Sequence, residues 1–404
     1  MLATINSLKN ERVLSIDAFR GITFFIMIIV NELAGVDGIS IWLKHMPAEA
    51  DAMSFPDIVF PAFLFIVGMS IPFSMNHRIM KGDSMIMLNQ HIAIRALALI
   101  VMGFFMVNAE GNFHAASMPF SIHLWSLISY FAFLLIWGVY AFQTVWINQA
   151  LYCLGIALLT GLFLVYRGGY DGSEMMMPQW WGILGLIGWA YLLSCWLYQL
   201  SRGRTAALLL LIAVCIAAYA LLHQMPTTSN FANAIWYRIL ISLDGHLAHS
   251  AIVLCGVVTS VLFFEKNTVA KQSRRFIDAI LFAFCLFLAA TWLRQDFPIS
   301  KIYASPSWCF YSAAICVLFF CVLYWLIDIR HQYVWFKPVQ AAAVNPLICY
   351  LIPFVVEALL KLLDLPSPIR QFEGMAGILA AILYAFLVIG VVHQLNRFNF
   401  RIKF

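Results

Sequence analysis

AALLLLIAVCIAAYALL, residues 206–222, is an unbroken apolar run of the length that crosses a bilayer as a helix. A membrane β-barrel strand would instead alternate apolar and polar residues over about ten positions. This run does not alternate, so a barrel is excluded. Runs of the same kind recur along the 404 residues, near 14–34, 56–76, 89–108, 120–142, 146–166, 180–200, 246–264, 276–294, 308–328, 340–361 and 374–396. The expected fold is therefore all-α: a polytopic membrane helix bundle of 10–12 spans, forming a single integral-membrane domain over 1–404. Composition agrees, with 63% hydrophobic and 11% charged residues and a mean hydropathy of +0.88. A soluble domain carries about 25% charged residues.

The basic residues alternate between loops as the positive-inside rule requires. With the N-terminus inside, the inner segments hold Lys9, Arg12, Arg78, Lys81, Arg202, Arg204, Lys266, Lys271, Arg274, Arg275, Arg330, Lys337, Arg397, Arg401 and Lys403. The outer ones hold fewer: Lys44, Arg167, Arg238, Arg294, Lys301, Lys361 and Arg370. Both termini are thus expected in the cytoplasm. The first apolar run lacks a signal-peptide cleavage pattern and reads as a retained span. The net charge of +5 belongs to loops and implies no nucleic-acid partner. The nine cysteines lie in or beside apolar runs without metal-ligand spacing and read as small buried hydrophobes. No loop is long enough for a soluble domain, so any chemistry belongs inside the bundle or at its mouth.

Around that frame, the stretch His45–Ser74, HMPAEADAMSFPDIVFPAFLFIVGMSIPFS, carries polar groups that a simple anchor does not need. His45 is the first candidate catalyst, because imidazole can take a proton near neutral pH. Asp57 could orient it, as the third member of a triad does, or serve only as a first-turn carboxylate. Pro61, Gly68 and Pro72 interrupt the following span and free backbone carbonyls, which suits a cavity wall. Asn31 could direct an amide N–H at a reacting carbonyl. Arg20, Arg78, Arg95, Asn108, Lys301 and Asn345 are candidates for binding a phosphate-bearing cofactor or lining its route. Glu32, Asp51, His123, Asp244, His246 and His249 are candidates for an acceptor-substrate wall. His246 and His249 share a helix face, but no third or fourth ligand is spaced for a metal, and none is expected.

SIDAFRGITFFIMIIVNELAG (15–35) and DIVFPAFLFIVGMSIPFS (57–74) resemble the heparan-α-glucosaminide N-acetyltransferase family of transmembrane acyltransferases, in its short bacterial form. IHLWSLISYFAFLLIW, SLDGHLAHSAIVLCGV, SKIYASPSWCFYSA and VNPLICYLIPF are weaker echoes. The resemblance implies an enzyme that takes acetyl-CoA from the cytoplasm and passes the acetyl group to a sugar amine or glycan end across the bilayer. It implies His45 as the active histidine, with Asn31 and Asp57 beside it, acting as a general base or as a transient acyl carrier. It also implies the bacterial inner membrane and admits a homodimer. The interval from His45 to Asp57 is longer than in the lysosomal enzyme and lacks its Trp-Asn-Gly, so the acceptor does not carry over. A surface-glycan or lipid O-acetyltransferase shares the donor, and a solute transporter shares the broken helices. A structural subunit would not need these buried polar groups.

Overall fold

The computed structural model describes residues 13–140, 144–225, 236–237, 240, 242–265 and 272–402. Of the basic residues used for orientation, Lys9, Arg12, Arg238, Lys266, Lys271 and Lys403 lie outside the described residues.

Twelve long helices follow one another among the described residues. They are α1 (Leu14–Leu33), α2 (Pro56–Met80), α3 (Met85–Glu110), α4 (Ile122–Trp137), α5 (Val145–Val165), α6 (Gly182–Ser201), α7 (Thr205–His223), α8 (Asp244–Phe264), α9 (Gln272–Leu293), α10 (Pro306–Tyr324), α11 (Pro346–Leu362) and α12 (Gly374–Arg397). Among the described residues ten helices are long and apolar enough to cross a membrane, or eleven segments if a bent pair counts as one span. The chain is a polytopic membrane helix bundle, and no strand is formed among the described residues.

Two spans differ from the sequence expectation. The run expected over 340–361 is a bent pair, Val334–Val344 and Pro346–Leu362, meeting at 76°. Pro346 has no N–H and bars its predecessor from helical backbone, so Asn345 takes φ −133°, ψ 65°. The helix expected over 120–142 stops at Trp137 because Gly138 turns extended, at φ −66°, ψ 142°. Its neighbour Val139 then donates to the Arg401 carbonyl instead of continuing the helix.

The described residues fall into two compact units, one within the ranges 13–19, 40–96 and 186–333 and the other within 20–39, 97–185 and 334–402. In the first, α8 is central, with nearly every side chain from Ala248 to Phe264 buried. It packs on α2, α7 and α10, and α9 covers α10. Two glycines let α2 and α8 approach. A Cβ on Gly68 would overlap the Val253 carbonyl, and one on Gly256 would overlap the Phe65 carbonyl. Close backbone packing of this kind drives helix association where lipid is as apolar as the side chains. The Ser260 hydroxyl fastens the same seam by donating to the Met69 carbonyl at 2.8 Å. On α9 the exposed face is itself apolar, with Ile277, Ile280, Leu281, Phe284, Phe287 and Leu288, as suits a lipid-facing surface.

In the second unit α4 packs against α5 and α11, and α12 against α11. Phe113 pairs with Gly168, while Gly138 pairs with Ile402.

Candidate functional site

In the first unit, a short loop before α2 brings His45 back to the head of that helix. His45 Nδ1 lies 2.7 Å from Asp57 Oδ1. The other carboxylate oxygen accepts from the Ser54 N–H at 3.0 Å, the Ser54 hydroxyl at 2.8 Å and the Met46 N–H at 3.2 Å. Asp57 is thus buried, at 2% side-chain exposure, yet satisfied, while the His45 side chain is 43% exposed. A carboxylate only accepts, so the shared proton sits on Nδ1. The lone pair of Nε2 is left as the basic site.

Backbone chemistry fixes Asp57 further. Within α2 its carbonyl would normally accept from residue 61, but Pro61 has no N–H. The buried Trp308 indole of α10 takes that place, donating to the Asp57 carbonyl at 3.0 Å.

A second loop, after α9, is fastened over the first. Arg294 grips Asp51 at 3.0 Å and 3.1 Å through Nε and at 3.0 Å through Nη2. The Ile299 N–H donates to the same carboxylate at 2.8 Å. The Arg294 hydrogen bonds and the Ile299 N–H hold the Asp51 carboxyl below its usual range. Tyr303 donates to Glu49 at 2.6 Å, which raises the phenol. These ties set Lys301 beside His45, with Nζ 3.2 Å from Nδ1 and 3.3 Å from Nε2. Burial pushes the Lys301 ammonium down to about 8, against the opposing pull of Asp57.

The remaining sequence candidates scatter. Arg78 is paired with Asp83 at 2.7 Å, and Arg95 lies over the Tyr191 ring at 5.3 Å. Both are within electrostatic range of His91. Asp244 accepts from the Gly245 N–H at 2.6 Å and faces His223 at 3.1 Å. His246 and His249 are buried among aromatic rings: Trp189 against the first, Phe60 and Trp308 against the second. Their Nδ1 atoms have no hydrogen-bond partner among the described residues.

Asn31, Glu32, Asn108, His123, Asn345 and Arg20 belong to the second unit. Asn31 is exposed. Asn108 is buried and donates through its amide nitrogen to the Phe104 and Met177 carbonyls, while its Oδ1 has no hydrogen-bond partner among the described residues. Asn345 likewise donates to the Phe400 carbonyl at 2.8 Å. Glu32, Glu110 and His123 gather in the electrostatic reach of Glu357, which pairs with Lys361 at 2.8 Å and with Arg370 at 3.6 Å. Arg20 lies one turn along α1 from Asp17.

Sequence reasoning missed Ser54, Trp308, Glu49 and Tyr303 as supports of this centre, as well as Glu110 and Glu357. Among the described residues no group of three or more His, Cys, Asp or Glu side chains is arranged to hold a metal ion.

Two curated proteins match part of the chain. Heparan-alpha-glucosaminide N-acetyltransferase of Homo sapiens is 39% identical over 98 residues. The protein of the same name from Mus musculus is 35% identical over 99 residues. Each match spans 24% of this chain and 14% of the relative. No protein-family model matches the chain.

Proposed function

We propose that this protein is a transmembrane acetyltransferase. It takes an acetyl group from cytoplasmic acetyl-CoA and passes it to a sugar amine at the opposite face of the membrane. The observation that carries this reading is the His45–Asp57 pair. A partly exposed imidazole, oriented by a buried and fully hydrogen-bonded carboxylate, stands at the head of a proline-interrupted membrane helix. The partial identity to two proteins named as N-acetyltransferases supports the same chemistry.

The steps follow from the residues. The amine nitrogen attacks the thioester carbonyl and loses a proton to His45 Nε2. The C–N bond forms, the C–S bond breaks, and the proton passes on to the departing CoA thiolate. A thioester is reactive enough that the main task is to keep the amine neutral and placed. Asp57 holds the ring with Nε2 free and stabilises the imidazolium as it forms. Arg78 and Arg95, toward the proposed cytoplasmic side, offer positive charge to the CoA phosphates.

The test is transfer of labelled acetyl from acetyl-CoA to glucosamine by the purified full chain, beside His45→Ala. A loss of about 10²–10⁴-fold in the variant is expected for a general base. Full activity of His45→Ala would refute the assignment. Acetyl transfer to polyols but not to amino sugars would make the enzyme an O-acetyltransferase.

A further inference from the structure

The His45 ring has a second charged neighbour whose position is unusual. Lys301 Nζ is almost equally far from both ring nitrogens, at 3.2 Å and 3.3 Å. In the plane of the ring, such a point would collide with Cε1 on one side or with the ring carbons on the other. The ammonium therefore lies over the face of the imidazole. It does not occupy the in-plane lone pair of Nε2, and it leaves the in-plane hydrogen bond from Nδ1 to Asp57 at 2.7 Å intact.

From this geometry we propose that Lys301 is a positioning residue of the catalytic centre, which keeps His45 neutral by holding a positive charge against its ring face while Asp57 fixes the ring's direction. The proposal rests on the acetyltransferase reading above for its consequence in catalysis. Only a neutral imidazole has a lone pair to accept a proton. A histidine paired with a buried carboxylate alone is drawn toward the imidazolium form, which is inert as a base. A cation on the π face favours the neutral ring and disfavours the charged one. After His45 has taken the amine's proton, the same cation favours its release to the departing thiolate.

The other charges around this pair are engaged. Facing Lys301 are His45 and the Asp57 carboxylate. Along the two loops, Asp51 is held by Arg294 and Glu49 by Tyr303, and Lys44 precedes His45 and has contacts of its own. The Asp51 and Glu49 ties give the lysine its place: they anchor the turn at residues 301–304. On this assignment Lys301 acts on the base rather than on the cofactor.

The experiment compares wild type, Lys301→Met and Lys301→Arg as full chains in detergent. The first readout is the pH–rate profile of acetyl transfer from acetyl-CoA to glucosamine. Removal of a unit charge in contact with the ring is expected to move the acid limb of the Lys301→Met profile upward by about one pH unit or more. The rate at neutral pH falls roughly tenfold and recovers at alkaline pH. Lys301→Arg, which keeps a cation able to lie on the ring, retains the wild-type limb. An unmoved limb in Lys301→Met overturns the proposal. So does a rise confined to the KM for acetyl-CoA, which would return Lys301 to the donor site. A second readout needs no substrate: NMR titration of ring-labelled histidine, with the His45 signal assigned by its absence in His45→Gln. Lys301→Met is expected to shift that titration to higher pH, and an unchanged midpoint overturns the proposal even if no acceptor is turned over. A shifted midpoint in an inactive wild type would sink the acetyl-transfer reading and leave the Lys301–His45 coupling standing.

Discussion

Replacing Trp308 with phenylalanine tests whether the indole stands in for the N–H that Pro61 lacks. Trp308 is fully buried, and its Nε1 donates to the Asp57 carbonyl at 3.0 Å. Phenylalanine keeps an aromatic ring there but strips the donor, leaving the carbonyl without helix partner or indole. An unsatisfied buried acceptor costs about 1–3 kcal/mol, and the smaller ring adds about 1 kcal/mol of lost packing. Pro61→Ala restores an N–H at the position that α2 would use for this carbonyl. In that background Trp308→Phe should cost only the packing share, about 1 kcal/mol. The two substitutions should therefore couple by about 1–3 kcal/mol, with Pro61→Ala rescuing Trp308→Phe. The assay is unfolding of wild type, both single variants and the double variant by titration of a denaturing detergent into a mild one, followed by far-UV circular dichroism. Costs of Trp308→Phe that agree within about 0.5 kcal/mol in the two backgrounds, the scatter of independent sites, would refute the reasoning.

Two further outcomes follow from the first unit and from a contrast with α5. Gly68→Ala should destabilise the bundle by about 1–3 kcal/mol or more, because its Cβ meets the Val253 backbone and cannot be relieved by a rotamer change. Gly161→Ala, with nothing within 4 Å of its Cβ, should stabilise α5 by about 0.4–1 kcal/mol. Equal melting temperatures for these two variants would contradict the seam. The Lys301 ammonium, held at about 8 in the folded chain against 10.5 for the free group, also sets a pH dependence. Between those values the unfolded chain binds more protons, so stability rises with pH through that window and is level below it. The melting temperature of wild type minus that of Lys301→Met should climb as pH is raised from 8 toward 10.5, and a flat difference would contradict the lowered ammonium.

The membrane fold was legible because bilayer chemistry writes itself into contiguous sequence. A run such as 206–222 has one structural solution, and the twelve expected runs correspond to long helices or a bent pair among the described residues. What composition could not convey was local backbone chemistry. Gly138 ends α4, and Pro346 bends the last hairpin, and both are single residues inside runs that remain apolar. The candidate site divides along the same line. Its local half could be read: His45, Asp57 and Pro61 lie within a short span of chain, and a proline four residues past Asp57 announces a carbonyl in need of a donor. The sequence does not say which donor, since Trp308 arrives from 251 positions away. Lys301, 256 positions from His45, could be counted only as an outer-loop charge, and charge alone suggested phosphate. Its place on the imidazole face depends on Asp51 and Glu49 being spent on Arg294 and Tyr303. Asp51, which looked like an acceptor-binding group, is tied to Arg294 and to the Ile299 N–H, and on the proposed assignment the cation that these ties place bears on the base. In a bundle where lipid contributes little to helix pairing, such long-range polar ties do the positioning that a hydrophobic core does in a soluble enzyme.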